Sequence, residues 1–204
     1  MRSSTTFATR VAGGCIAVCA LVFCAVSPSI AAQKTNVVMY RAWTPAGKLA
    51  NVRVTETLSG HCWTQSLVTS RGDAYRCMVG NSILDPCFAP KVSRPRAVAC
   101  AADPFSNRIV VLRMQKALPT PNPTTQWLQP HNQPWGLRLT NGDTCVFVAG
   151  ATDAVKGERM NYGCAGNDGW IIGSVNQLTP IWTAQSSAYP SKGVKTVFIA
   201  EAVF

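Results

Sequence analysis

The chain has 204 residues, of which 47% are hydrophobic and 14% charged, and it carries a formal net charge of +10. This composition is typical of a globular protein and excludes an intrinsically disordered one. The length suits one domain or two small ones.

The first 31 residues have the layout of a secretory signal peptide. Two arginines and no acid precede an apolar run at residues 11–26, and the stretch SIA at residues 29–31, small at both ends, follows. The run is shorter than the roughly 20 residues of a membrane-spanning helix, so an uncleaved anchor is the weaker alternative, as is a lipoprotein. We expect cleavage after Ala31 or Ala32. Residues 32–204 then form a mature single domain without a membrane span, secreted or held in the periplasm or cell envelope.

Residues 36–58 alternate between apolar and polar side chains on either side of a turn at 44–48. Val38, Tyr40 and Ala42 fall on one face of the first half. Period-two alternation around a turn predicts two strands.

The central part of the chain mixes three signals. Residues 80–88 leave room for a short helical turn that Asp85-Pro86 would end. Residues 108–114 are rich in β-branched side chains and predict a buried strand. Residues 118–134 contain five of the 13 prolines, which predicts a loop or linker.

The clearest local signal is Asn141-Gly142 between two alternating runs, which predicts a hairpin with a type I′ turn. Leu137 and Leu139 are expected to face inward. A second hairpin would then place Cys145 opposite Cys164, and the alternating C-terminus predicts a last strand. Without a helical stripe in the mature chain, the fold is expected to be mainly β, as a disulfide-stabilised antiparallel barrel or sandwich.

Nine cysteines are present, and three of them lie in the expected signal peptide. An even number in an exported chain indicates disulfides, and six cysteines allow fifteen pairings. Neighbours along the chain are 15, 13 and 19 residues apart. This spacing favours Cys62–Cys77, Cys87–Cys100 and Cys145–Cys164, each contributing about 3 kcal/mol in the chain-entropy model.

The stretch SGHCWTQS at residues 59–66 resembles the nucleophile region of papain-like proteases. However, adjacent residues on a strand point to opposite faces, so His61 is a poor base for Cys62. His131 lies 69 residues downstream in the proline-rich stretch. A disulfide at Cys62 is therefore the favoured interpretation, and Trp63 is expected in the core beside it.

Other enzyme signatures are weak. No G-x-S-x-G, Walker or dinucleotide motif occurs, and two histidines without reduced cysteines argue against zinc; no cofactor is expected. The tripeptide at 71–73 reads RGD, which is expected to be a solvated turn. Four carboxylates remain candidates for glycoside hydrolysis, although each is more simply a turn residue. They are Asp73, Asp85, Asp103 and Asp168.

The loop at residues 89–100 combines Lys91, Arg94 and Arg96, and a Cys87–Cys100 disulfide would close it. Three cations on a constrained loop are suited to phosphate, sulfate or uronate groups, while ordinary solubilising charge is the alternative. Trp127, in the proline-rich loop, is the tryptophan expected to be exposed. We predict binding of an anionic polymer or protein at the cell surface through these four residues, with no specific nucleic-acid partner. The sequence does not determine the oligomeric state.

Three segments carry a resemblance to a group of exported bacterial proteins for which no activity is known. Residues 60–66 match G-x-C-W-T-x-S, residues 75–88 match Y-R-C-M-x-G-N-x-I-x-D-P-C-F, and residues 134–145 match a late P-W-x-L turn with a cysteine. The resemblance implies export and a cystine framework. The expected function is a non-enzymatic binding module, with a carboxylate hydrolase or an inhibitor of extracellular enzymes as alternatives.

Overall fold

The structure is a computed structural model, and it describes four stretches of the chain. These are residues 34–120, 133–166, 169–188 and 193–204. All of them belong to one compact unit that spans Ala32–Phe204. The predicted signal peptide, Trp127 and most of the proline-rich loop lie outside the described residues.

The described residues form thirteen strands and no helix. The strands are β1 (Asn36–Val38), β2 (Arg53–Gln65), β3 (Ala74–Val79), β4 (Ser82–Phe88), β5 (Ala97–Cys100), β6 (Arg108–Met114), β7 (Gly136–Leu139), β8 (Thr144–Phe147), β9 (Ala154–Val155), β10 (Glu158–Cys164), β11 (Trp170–Asn176), β12 (Trp182–Ser187) and β13 (Lys195–Val203). No membrane-spanning helix is found among these residues. The predicted mainly β class is confirmed.

Strands β2 to β6 form a closed barrel. Each strand runs antiparallel to the next, and a parallel pairing of β2 with β6 closes the ring. The interior holds two disulfides together with Val98 and Leu112. Gly60 is required where β2 crosses β3, because a Cβ there would lie 2.2 Å from the carbonyl oxygen of Met78.

The second sheet also closes on itself, because β7 pairs with both β8 and β13. The ring follows the order β13, β12, β11, β10, β8, β7. Alternate residues such as Leu137, Leu139 and Ile199 fill its interior, as the alternation predicts. The buried hydroxyl of Tyr162 donates to the carbonyl oxygen of Pro134 at 2.6 Å. Both sheets are therefore barrels, and the sandwich alternative is wrong.

Strand β13 serves two neighbours along one edge. Residues 195–199 pair with β12, and residues 201–203 pair in parallel with β1. Thr35 fills the point of exchange: its hydroxyl donates to the carbonyl oxygen of Ile199 at 2.7 Å and accepts from the N–H of Trp182 at 2.8 Å. This buried side chain satisfies backbone groups where one partner strand replaces the other.

Aromatic side chains join the two barrels. Tyr40 lies 5.1 Å from Phe88 and 5.5 Å from Trp135, measured between ring centroids. Gly136 at the start of β7 touches the loop before β6, where a Cβ would lie 2.2 Å from Cγ of Pro104. The junction is thus packed through both a ring cluster and a close backbone approach.

Each of the three disulfides joins directly opposed residues of neighbouring strands. The pairs are Cys62–Cys77, Cys87–Cys100 and Cys145–Cys164. These are the pairs that the spacing favours. Disulfides of this number indicate an oxidising compartment for the folded chain.

The short helical turn expected at residues 80–88 is not formed. Gly80 adopts a left-handed φ of 54° and turns the chain between β3 and β4. Leu84 then packs inside the first barrel, while Ile83 is exposed on its outer surface. This alternation is that of a strand, which the turn at Gly80 makes possible.

The Asn141-Gly142 hairpin is confirmed, but its turn type is not I′. That turn needs positive φ at both central residues, and only Gly142 of the two has it, at 93°. The N–H of Gly142 donates to the carbonyl oxygen of Leu139 at 3.0 Å, and the N–H of Leu139 donates to that of Asp143 at 2.8 Å. The loop is one residue longer than a two-residue turn, which places the left-handed residue third.

The two strands predicted around residues 44–48 are present, although they do not pair with each other as a hairpin. The turn closes through a bridge between Trp43 and Leu49. Beyond it, β1 joins β13 and β2 joins β3 and β6. The chain therefore crosses from one barrel to the other at this turn.

Candidate functional site

A groove of about 460 Å³ lies where the segment after β1 meets the loops that follow β2 and β4. Three cations contribute to its lining, together with aromatic and apolar side chains. The lining includes Met39, Arg41, Trp43, Arg71, Phe88 and Lys91. The groove combines positive charge with apolar walls.

One wall of the groove is fixed by the turn at residues 44–48. The indole Nε1 of Trp43 donates to the carbonyl oxygen of Phe88 at 2.8 Å. Gly47 has a φ of 73°, and a Cβ there would lie 2.9 Å from Cγ1 of Val92. The turn therefore packs directly on the loop that carries Lys91, and both sides of the groove are held together.

Arg71 is committed to the fold rather than to a ligand. Its Nε and Nη2 donate to the two carboxylate oxygens of Asp73 at 2.9 and 2.7 Å. Its Nη1 donates to the carbonyl oxygen of Tyr40 and, at 3.4 Å, to that of Phe204. The guanidinium also lies 4.6 Å from the ring centroid of Phe88. The RGD tripeptide is a turn, as predicted, but its two charges pair with each other instead of facing solvent.

Arg41 and Lys91 are the groove cations available to a ligand. Both side chains are exposed, and neither forms an ion pair with a carboxylate of the described residues. A guanidinium offers a planar fork of donors, while an ammonium offers a compact charge. Each of them is suited to bind a carboxylate, phosphate or sulfate in the groove.

The three cations predicted to bind from the basic loop lie in two different places. Lys91 lines the groove, whereas Arg94 and Arg96 are exposed on the same loop outside its lining. Arg94 has a φ of 55°, so the loop turns sharply between the two groups of charge. Trp127 lies outside the described residues.

Arg41 and Trp43 are groove residues that the sequence interpretation missed. The signal was present in the alternation of residues 37–42, because Tyr40 and Ala42 are buried and their neighbours must point the other way. The sequence does not predict that Lys91 lines the same groove as Arg41, because this depends on the packing of Val92 against Gly47.

Of the four carboxylates in the hydrolase alternative, Asp168 lies outside the described residues, and the other three each have a local partner. Asp73 pairs with Arg71, and Asp103 accepts from the N–H of Phe105 at 2.9 Å in a turn. Asp85 accepts from the Ser66 hydroxyl at 2.5 Å and from the N–H of Leu67 at 3.1 Å. Burial raises the pKa of Asp85 to about 6, although Ser66, Leu67 and Arg76 lower it.

Trp63 is not in the core, contrary to expectation. Cys62 points into the first barrel to reach Cys77, so the following side chain is directed outward at a bulge in β2. Trp63 is 41% exposed, and its ring lies 5.6 Å from the guanidinium carbon of Arg76. The sulfur of Cys62 is bonded, so this stretch has no free thiol.

Within the described residues, no three histidine, cysteine, aspartate or glutamate side chains are grouped as metal ligands would be. The groove lining offers instead two cations without an ion-pair partner among the described residues, the half-buried ring of Trp43 and the Arg71–Asp73 ion pair. Comparison with protein-family models, with curated proteins and with solved structures finds no match for this chain.

Proposed function

We propose that this protein is an exported, non-enzymatic binding module that holds an anionic partner in the groove between Arg41 and Lys91. The partner class is an anionic polymer or protein at the cell surface. The observation that carries the proposal is the pair of exposed cations that line one groove and form no ion pair with a carboxylate of the described residues, since the groove carboxylate, Asp73, is paired with Arg71.

Export is supported by two features that are independent of the groove. The N-terminal 31 residues have the charge and apolar pattern of a cleaved leader. The six remaining cysteines are all paired, which is the state expected in an oxidising compartment. The site of action is therefore the periplasm, the cell envelope or the extracellular space.

Binding at such a groove depends strongly on salt. Each exposed ion pair contributes about 0.2–1 kcal/mol, and charges beyond about 8 Å are screened at 0.15 M salt. The apolar side chains of Met39 and Trp43 in the groove lining add contact that salt does not weaken. An anionic ligand with an apolar face is thus preferred over a small inorganic anion.

The proposal is tested by retention on immobilised polygalacturonate. The variant R41Q/K91Q is expected to elute at clearly lower salt than the wild type, because it removes both groove cations. The matched control R53Q/K156Q removes two exposed cations outside the groove and leaves the same net charge. It is expected to elute close to the wild type, and R94Q/R96Q to shift less than R41Q/K91Q.

Equal shifts for R41Q/K91Q and R53Q/K156Q would contradict the proposal. Retention would then follow net charge alone, and the groove would have no special role. Circular dichroism of all variants confirms that exposed-side-chain substitutions leave the barrels folded.

A further inference from the structure

Strand β1 is paired along one edge. The N–H of Tyr40 donates to the carbonyl oxygen of Phe204 at 2.8 Å, and the N–H of Phe204 donates to that of Val38 at 2.9 Å. Because backbone groups alternate along a strand, those of Val37 and Met39 point to the opposite edge. Among the described strands, β1 pairs with β13 alone.

The side chains of this segment alternate in the same way. Val38 and Tyr40 pack against the core, whereas Val37 and Met39 are 52% and 51% exposed. Arg41 continues the exposed row, and both Met39 and Arg41 line the groove. An apolar row next to a strand edge that has no partner among the described strands therefore leads directly to the groove cations.

We propose that the ligand is an extended segment of a partner protein that pairs with the free edge of β1 and places acidic side chains between Arg41 and Lys91. This inference rests on the proposed function, since it names the partner of the same groove. Backbone hydrogen bonds to an added strand supply affinity without regard to sequence, and alternate side chains supply specificity. Here the specificity is apolar contact with Val37 and Met39 followed by negative charge.

A peptide explains the neighbouring features better than an anionic glycan. A polyuronate chain satisfies Arg41 and Lys91, but it has neither the backbone spacing of a strand nor apolar side chains for Val37 and Met39. A strand carries both, at the spacing of about 3.3 Å per residue that β1 presents. Cross-strand apolar pairs of this kind stabilise the added strand.

The test measures fluorescence anisotropy of a labelled peptide with two threonine–valine repeats flanked at each end by three glutamates, so that a parallel or an antiparallel strand brings glutamates to Arg41. Wild-type protein is expected to bind it, and R41Q/K91Q to bind it at least about tenfold more weakly, because two charge-assisted contacts are lost. A peptide with glutamine in place of glutamate is expected to show a similar loss.

The edge pairing is tested by Met39→Pro with Met39→Ala as its control. The N–H of Met39 makes no backbone hydrogen bond within the described residues, and proline is tolerated on a strand edge. M39P removes that donor and blocks the edge, so binding is expected to fall about tenfold, whereas M39A removes side-chain contact alone and costs about threefold. An N-methylated version of the peptide makes the same test on unaltered protein, and its binding is expected to be lost.

Two results separate the inference from the function beneath it. If polygalacturonate is retained through Arg41 and Lys91 while the N-methylated and unmodified peptides bind equally or not at all, the partner is a glycan and the strand-pairing inference is overturned. If neither the peptide nor polygalacturonate distinguishes R41Q/K91Q from R53Q/K156Q, the proposed function fails as well.

Discussion

Arg71 illustrates how a residue that looks available for recognition is consumed by the fold. Its donors satisfy Asp73, the carbonyl oxygen of Tyr40 and the carbonyl oxygen of Phe204. These contacts tie the loop after β2 to the segment after β1 and to the residue that follows β13. The groove thus owes its shape to Arg71 and its free charge to Arg41 and Lys91.

Asp85 is the buried carboxylate whose protonation is coupled to stability. Burial raises its pKa from the ordinary value of 3.8 to about 6, and this effect exceeds the opposing ones of the Ser66 hydroxyl, the Leu67 N–H and the Arg76 guanidinium. The folded state therefore binds a proton at this site more tightly than the unfolded state does. Its contribution to stability is fully present below about pH 3.8 and is lost as pH rises through about 6.

The variant Asp85→Asn is expected to remove this dependence. The free energy of unfolding of the wild type, relative to D85N, should fall by about 2 kcal/mol between pH 4 and pH 7. Urea denaturation at a series of pH values measures the difference and cancels the titration of the other carboxylates. Parallel stability profiles for the two proteins would show that Asp85 titrates normally.

For single residues, the sequence predicts which side chains are buried better than it predicts which residues they contact. Tyr40, Ala42, Leu137 and Leu139 are buried as the alternation predicts, because period two is a local property of a strand. Trp63 is exposed because Cys62 points into the barrel to form its disulfide and a bulge in β2 directs the next side chain outward. Neither is visible in a local pattern.

Strand β7 meets the first barrel through a glycine. A Cβ at Gly136 would lie 2.2 Å from Cγ of Pro104 and 3.2 Å from Cε2 of Phe105. The guanidinium of Arg138 lies 4.6 Å from the ring centroid of Phe105 and holds the same loop. The loop before β6 is thus clamped against β7, and the clamp needs a residue without a side chain.

Gly136→Ala is therefore expected to lower the free energy of unfolding by about 2 kcal/mol, since a proline ring cannot move aside without displacing its loop. Gly150→Ala is the matched control, because nothing lies within 4 Å of its would-be Cβ and its φ is not left-handed. It should change stability by less than about 1 kcal/mol. Chemical denaturation of both variants gives the comparison, and equal losses would mean that the contact at Pro104 yields freely.

Strands were predictable where their signal is local, and their partners were not. Residues 108–114 and the hairpin around Asn141 are strands as expected. Strand β1, however, pairs with a strand about 165 residues later, and a parallel pairing carries no turn signature between its members. The same holds for the groove. Lys91 was predicted as a binding residue from its loop, whereas Arg41 lies in the same groove only through tertiary packing.

The folded molecule is stabilised by three disulfides as well as by the apolar interiors of its two barrels. Two disulfides lie inside the first barrel, whose buried cluster is smaller than that of the second, and one links β8 to β10 in the second. Loops of 13 to 19 residues closed in this way contribute about 3 kcal/mol each in the chain-entropy model. Spacing along the chain predicted the pairing because each disulfide joins neighbouring strands.

Mass spectrometry of the exported protein is expected to find a chain that begins at residue 32 or 33 and is about six hydrogens lighter than its reduced form. One measurement therefore tests both the cleavage of the proposed leader and the formation of the three disulfides. A free Cys62 or an intact leader on the exported molecule would contradict, respectively, the pairing or the cleavage.

The division of β13 between β12 and β1 has a consequence for the order of assembly. A chain emerging from its N-terminus has every strand of the first barrel once residue 114 is available, since β2 to β6 are consecutive. Strand β1 must wait for β13, the last strand, which also joins β7 to β12. The edge that we propose as a docking site is therefore created at the final step, so an incomplete molecule cannot present it.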